Sequence, residues 1–153
     1  MQTRSRHRTS FNTQRDIATA SGAGVDLVKS LGADEVIDYR QKRFDDIVKD
    51  VDVVLDTLGG ATQEASWRVL KKGGILVLTV MPPSPERATA AGLRGAFVFT
   101  PPRGAVLAQL AALVDEGQLR LLVGQEFALA DAAEAHRLGE SGTSRGKMIL
   151  RVS

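Results

Sequence analysis

A chain of 153 residues with 43% apolar and 25% charged composition has the length and make-up of one ordinary globular domain with a buried core. It has no cysteine and only two histidines, His7 and His136, far apart in sequence, which excludes disulfides and argues against a zinc site, so no metal is expected. No run approaches 18 consecutive apolar residues and the amino terminus carries no apolar signal core, so the cytoplasm is expected and no membrane partner is.

The formal net charge of +2 is unevenly placed. Arg4, Arg6, Arg8 and Arg15 lie in the first fifteen residues, which contain no acid; without them 16 Lys and Arg face 18 Asp and Glu, a net charge of −2 for the remainder. A tail rich in Arg and Ser and poor in acid has the composition of a nucleic-acid arm or an organelle transit peptide, but beyond Met1 only Phe11 offers an apolar face. Residues 1–16 are therefore expected to form a disordered basic leader, and no nucleic-acid partner is expected.

From Asp16 the pattern alternates between strand and helix. Ile17–Ala20 reads as a short strand entering the Ser21-Gly22-Ala23-Gly24 turn, and Val25 to Leu31 as a helix with Val25, Leu27, Val28 and Leu31 inward, stopped by Gly32. Glu35–Asp38 is a strand, followed by a short helix near Phe44–Lys49 with Phe44, Ile47 and Val48 inward. Val51–Leu55 is almost continuously apolar, as a central strand covered on both faces would be. Thr62 is placed to cap a helix to Leu70, with Lys71-Lys72-Gly73-Gly74 as its cationic last turn and stop.

Ile75–Val80 is the next strand, and Pro82, Pro83 and Pro85 impose a loop after it. A strand at Ala96–Phe99 precedes a helix opening at Thr100-Pro101-Pro102 and running to about Glu116. Leu119–Val123 reads as a strand, Asp131 to Glu134 has capping-box spacing for a helix to about Leu138, and Lys147–Val152 is the last strand. Strand and helix in this alternation predict an α/β fold with parallel strands and crossover helices. No strand and glycine-rich turn precede the series, so the fold class is an incomplete Rossmann-type doubly wound sheet lacking its first strand.

Open α/β sheets bind ligands beyond the carboxyl ends of their strands. The residues there are Ser21, Tyr39, the Asp56-Thr57-Leu58-Gly59-Gly60 turn, Val80-Met81 and Phe99-Thr100. Each has a plain structural reading beside the functional one: Asp56 as a loop carboxylate bonding nearby amides, Gly59-Gly60 as a tight turn. Val53-Val54-Leu55-Asp56 also has the form of a phospho-acceptor strand in a receiver domain. No acidic pair ends an earlier strand and no lysine ends Ile75–Val80, which disfavours that class.

The segments Leu31–Arg40 (LGADEVIDYR), Val51–Gly60 (VDVVLDTLGG), Lys71–Leu78 (KKGGILVL) and Ser144–Val152 (SRGKMILRV) resemble the medium-chain dehydrogenase/reductase superfamily, most of all its zinc-independent quinone-oxidoreductase branch. The resemblance runs from Ile17 to Val152. It implies an NADPH-dependent reductase of quinones or activated carbonyls and alkenes, here truncated at the amino terminus. Residues 17–118 would be a partial dinucleotide-binding domain and 119–153 a carboxyl-terminal segment of the catalytic domain.

By the same resemblance Ser21 stands where NAD-selective members place an acid for the ribose hydroxyls, so NADP is expected over NAD, with Tyr39 lining the 2′-phosphate pocket and Lys29 or Arg40 as charge partners. Asp56, Thr57 and Gly59 would pass under the adenosine, Val80, Met81 and Phe99 would border the nicotinamide, and Arg145 and Lys147 belong to a terminal turn that either reaches the cofactor or simply precedes a strand. No catalytic residue is assigned. Binding is expected to be weak, because the turn that anchors the pyrophosphate is missing.

A homodimer through Gly95–Phe99 is expected from an apolar sheet edge. The alternative function is a non-catalytic remnant acting as a dimerising interaction module. Loss of the first strand would open a slot between Ile17–Ala20 and Val51–Leu55. Exposing a few hundred Å² of apolar surface there costs about 5–10 kcal/mol at ~25 cal/mol/Å². The favoured expectation is that Ile17–Ala20 shifts to pair with Val51–Leu55; insertion of Thr9–Thr13, or a marginally folded domain, is the other way out.

Overall fold

The computed structural model describes residues 15–142 and 144–152. They divide into two compact units, one made of Ile17–Val25 and Glu35–Pro101, the other of Asp26–Asp34 with the chain from Pro102 onward. The expected insertion of Thr9–Thr13 lies outside the described residues, as do the leader up to residue 14 and His7.

In the first unit, strands β1 (Ile17–Ala20) and β2 (Glu35–Asp38) pair in parallel, Ile17 opposite Glu35 and Ala20 opposite Asp38. Helix α1 (Gly24–Ser30) lies between them in sequence. After the single-turn helix α2 (Phe44–Ile47) come β3 (Val51–Asp56), helix α3 (Ala61–Val69), β4 (Leu70–Leu78), helix α4 (Pro85–Ala90) and β5 (Arg94–Phe97). These three strands form a parallel sheet in the order β3-β4-β5.

The core follows from where apolar residues fall on β4 and α3. Leu76 and Leu78 alternate onto one face of the central strand and are fully buried with Trp67, Leu70 and Ala88. A second cluster joins the two sheets: Ile37 of β2, Val48 and Val69 are buried together, with Ile17, Phe44, Val51 and Val54 packed against them. Beside it Asp45 is a buried carboxylate clasped by two guanidinium groups. It accepts from Arg43 Nε and Nη2 at 3.2 and 2.9 Å and from Arg68 Nη2 at 2.5 Å, tying α2 to α3.

The expected shift of β1 onto β3 does not occur: among the described residues no ladder joins the sheet β1-β2 to the sheet β3-β4-β5. Ile17 and Ile37 are held in the shared cluster with Val48 and Val69, and sliding β1 over to β3 would withdraw them from it. β3 is consequently not the central strand its apolar sequence implies. Among the described residues it is an edge strand, and Val53 and Leu55 are 58% and 64% exposed.

Other elements depart from the sequence reading for local reasons. Lys71 to Gly74 do not end a helix but belong to β4, whose first residue Leu70 already has extended φ −74, ψ 138; Gly73, at φ 77, donates its N–H to the Gly92 carbonyl. The proline-rich segment holds a helix, because Pro85 sits at the first helical position and Ser84 Oγ accepts the Arg87 N–H at 3.2 Å. Gly60, not Thr62, flanks α3, and Ile47 of α2 faces solvent.

In the second unit, helix α5 (Gly104–Asp115) starts after Arg103, later than Thr100-Pro101-Pro102 implies. Leu119 is buried in an irregular stretch, and the strand follows it as β6 (Val123–Ala128), parallel to β7 (Lys147–Arg151). Between them lie a 3-10 turn at Leu129–Asp131 and helix α6 (Ala132–Glu140), where Asp131 makes no side-chain cap bond. No helix among the described residues is long and apolar enough to cross a membrane.

Candidate functional site

Nine of the twelve residues singled out from the sequence lie in the first unit, all at or just beyond the carboxyl ends of its strands. Ser21 follows β1 and Tyr39 follows β2, and because these strands are in register the two side chains meet: Ser21 Oγ donates to Tyr39 Oη at 2.8 Å. The Tyr39 N–H donates to the Ala20 carbonyl at 3.1 Å, extending the ladder by one bond and fixing the tyrosine over the turn. Asp38 shapes the next step, accepting the Arg40 N–H at 3.0 Å and Gln41 Nε2 at 3.1 Å. Sequence reasoning passed over Asp38. The signal was an aspartate two residues before Arg40, an Asx turn that aims the Tyr39-Arg40 segment.

At the end of β3, Asp56 is buried and its Oδ1 accepts the N–H groups of Leu58 and Gly59 at 2.8 and 2.9 Å. The loop-carboxylate reading is thus correct for one oxygen. Oδ2 is buried with no hydrogen-bond partner among the described residues. The turn requires glycine twice: Gly59 and Gly60 have φ of 74° and 57°, and a Cβ on Gly59 would stand 3.3 Å from Val80 Cγ2. That contact places Val80, just past β4, against the Asp56 turn, while Thr57 is exposed beside it. Val80, Met81 and Phe99 are all exposed, and the rings of Phe97 and Phe99 stack at a centroid distance of 6.4 Å.

The remaining three candidates belong to the other unit. Lys29 is exposed in the last turn of α1. Arg145 and Lys147 flank Gly146, which has φ 73 and passes so close to the Leu122 carbonyl that a Cβ would lie 2.5 Å from its oxygen; the Lys147 N–H donates to that carbonyl at 2.7 Å. This geometry supports the reading of Arg145 and Lys147 as a tight strand entry.

In the first unit the strand ends carry a bonded hydroxyl pair, a backbone turn held by Asp56, and exposed apolar residues. Among the described residues no three His, Cys, Asp or Glu side chains come together as metal ligands, and the sequence has no cysteine.

Parallel strands, interleaved helices and a site at the strand ends define a Rossmann-type α/β protein. A family model described as zinc-binding dehydrogenase matches residues 31–150. The chain is 32% identical over 145 residues, 92% of its length, to a chloroplastic NADPH-dependent alkenal/one oxidoreductase of Arabidopsis thaliana, of which that covers 34%. Among solved structures, a quinone oxidoreductase from Coxiella burnetii superposes with a TM-score of 0.79 at 32% identity, covering 91% of this chain and 45% of that one. A mycobacterial protein solved in complex with NADPH gives 0.70 at 29% identity, covering 90% and 49%.

The chain belongs to the zinc-binding dehydrogenase family of medium-chain dehydrogenases/reductases. It spans between about a third and just under half the length of the curated relatives it matches, from 34% to 44%.

Proposed function

We propose that this chain is the nucleotide-binding portion of an NADPH-dependent oxidoreductase whose full assembly transfers hydride to a quinone or an activated carbonyl or alkene. The observation that carries the cofactor choice is the end of β1, where Ser21 Oγ is bonded to Tyr39 Oη and no carboxylate stands to bind ribose hydroxyls or repel a 2′-phosphate. Arg40, exposed next to Tyr39, supplies a cation for that phosphate.

NADPH, when bound, supplies the hydride. The residues of this chain position it: the Asp56 turn under the adenosine side, with Val80, Met81 and Phe99 as apolar borders for the nicotinamide and its partner. Weak affinity is the expectation, because among the described residues no strand pairs with both β1 and β3 and no glycine-rich turn leads from such a strand into a helix amino terminus, the usual pyrophosphate anchor. Weak cofactor capture and little exclusion of water leave the chain by itself with little or no turnover.

Calorimetric titration tests this. NADPH binding at roughly ten micromolar or weaker, and tighter than NADH, is the expected result. Equal affinity for the two cofactors would remove the Ser21-Tyr39 assignment, and sub-micromolar NADPH binding would remove the claim that the anchor is missing.

A second element of the proposal is self-association through the Gly95–Phe99 edge. β5 is an edge strand of its sheet, and Phe97, Val98 and Phe99 are exposed on or just beyond it. A folded chain that stays monomeric at high concentration in light scattering would overturn that element and leave the cofactor reading standing.

A further inference from the structure

We infer that Gly95 is a positioning residue for the cofactor site: its bare Cα is a seat for Pro83, and that seat fixes the Val80-Met81-Pro82 segment assigned above to the nicotinamide border. The role of that border rests on the cofactor reading, whereas the seat is a feature of the first unit's packing. Gly95 lies on β5 opposite Leu76 of β4. It is not among the glycines with positive φ, so its extended backbone would accept any residue. A glycine within a strand weakens it and marks a place where another part of the chain comes close. Pro83 is that neighbour. A Cβ on Gly95 would stand 2.6 Å from Pro83 Cγ and 2.9 Å from Pro83 Cβ, with Trp67 Cη2 at 3.5 Å. The proline ring is thus packed onto the strand beside an indole that belongs to the buried core.

The segment joining β4 to α4 is therefore held at both ends. At its start the Thr79 N–H donates to the Asp56 carbonyl at 3.2 Å, and Val80 Cγ2 lies 3.3 Å from where a Gly59 Cβ would be. At its end Pro83 sits on Gly95, and the next residue, Ser84, caps α4 by accepting the Arg87 N–H at 3.2 Å. Met81 and Pro82 are exposed between these two supports.

The rings of Pro82 and Pro83 lock φ at two successive residues, so few torsions between the seat and Met81 can absorb a shift. A short segment pinned in this way has little conformational freedom to lose when a ligand arrives. The chain's own packing sets the apolar border before any cofactor is bound, and Gly95 supplies the support at its far end.

The test is a double-variant cycle on the full chain, read first by amide hydrogen exchange without ligand. Gly95→Ala pushes Pro83 off the strand, and Pro83→Gly empties the seat without touching β5. Each substitution should speed exchange of the Thr79 and Arg87 amides about tenfold while the amides of β4 keep their protection. Combined, they should speed it no more than Pro83→Gly does alone, because an alanine at 95 meets no ring there. In calorimetry Gly95→Ala should weaken NADPH at least about threefold and leave 2′,5′-ADP, the adenosine half of that cofactor, unchanged.

Additive effects of the two substitutions, unchanged exchange at Thr79 and Arg87 in Gly95→Ala, or a loss of protection that spreads into β4 would overturn the inference. So would equal weakening of NADPH and 2′,5′-ADP, since the substitution would then act on the whole site and not on the nicotinamide side. The exchange cycle involves no ligand, so it decides the seat separately from the cofactor reading, whose own failure would show as 2′,5′-ADP binding no tighter than 5′-AMP.

Discussion

Replacing Leu55 and Leu78 separately by alanine tests the placement of β3 as an edge strand. Leu78 is 0% exposed at the end of β4, packed with Trp67, Leu70, Leu76 and Ala88. Removing its side chain leaves a cavity in a core that cannot collapse around it, a loss of about 2–5 kcal/mol, which is a large share of the roughly 5–15 kcal/mol that holds a typical domain. Leu55, on the neighbouring strand β3, has the same chemistry but is 64% exposed. Full burial of a leucine is worth about 1.5–3 kcal/mol, and with roughly a third of the side chain withdrawn from water its truncation costs about 0.5–1 kcal/mol. The assay is urea unfolding followed by the fluorescence of Trp67, the only tryptophan and a member of the buried cluster. A cost at Leu55 equal to that at Leu78 would refute the reasoning, because it would mean that the outer face of β3 is covered in the free chain.

Asp45 predicts the response to acid. Its hydrogen bonds to Arg43 first and Arg68 second hold its carboxyl well below the usual aspartate range, against the opposing effect of burial. A depressed folded-state value stabilises the fold above the unfolded value near 3.9 and is lost as pH falls below it; Asp45→Asn should therefore be less stable than the parent at pH 7 and lose less on going from pH 5 to pH 2 in thermal unfolding. Ser21→Asp should reverse the cofactor preference toward NADH in calorimetry by about tenfold or more, a difference of ~1.4 kcal/mol, and Arg40→Ala should narrow the preference for NADPH. Gly146→Ala forces a side chain into a positive-φ position against the Leu122 carbonyl and should cost about 2 kcal/mol or more, read as lost hydrogen-exchange protection across β6 and β7; full retention would show that this turn relaxes freely.

What the sequence made legible was set by short-range chemistry. β2 is found at the predicted residues and the Asp56-Gly59 bond lies where the turn residues imply, because the Asx turn depends on neighbours two or three positions apart; the Ser21-Tyr39 pair joins two predicted strand ends 18 residues apart. Proline and glycine were read too simply as breakers: Pro85 opens a helix once Ser84 caps it, and Gly73 and Gly74 lie inside a strand. Long-range facts left no local trace. The Asp45 clasp joins residues 23 apart, and nothing in Arg43, Asp45 or Arg68 alone announces it. The misplacement of β3 is the most informative of these, since its apolar run does describe a strand covered on both faces, and the structure leaves one edge and part of one face bare. At β3 the sequence specifies burial that the fold withholds, and at the carboxyl end of the same strand Asp56 Oδ2 has no donor among the described residues. Local and global preferences normally agree in a foldable chain. At β3 they disagree, while Leu76 and Leu78 of β4 and Trp67 and Val69 of α3 are buried as their patterns demand.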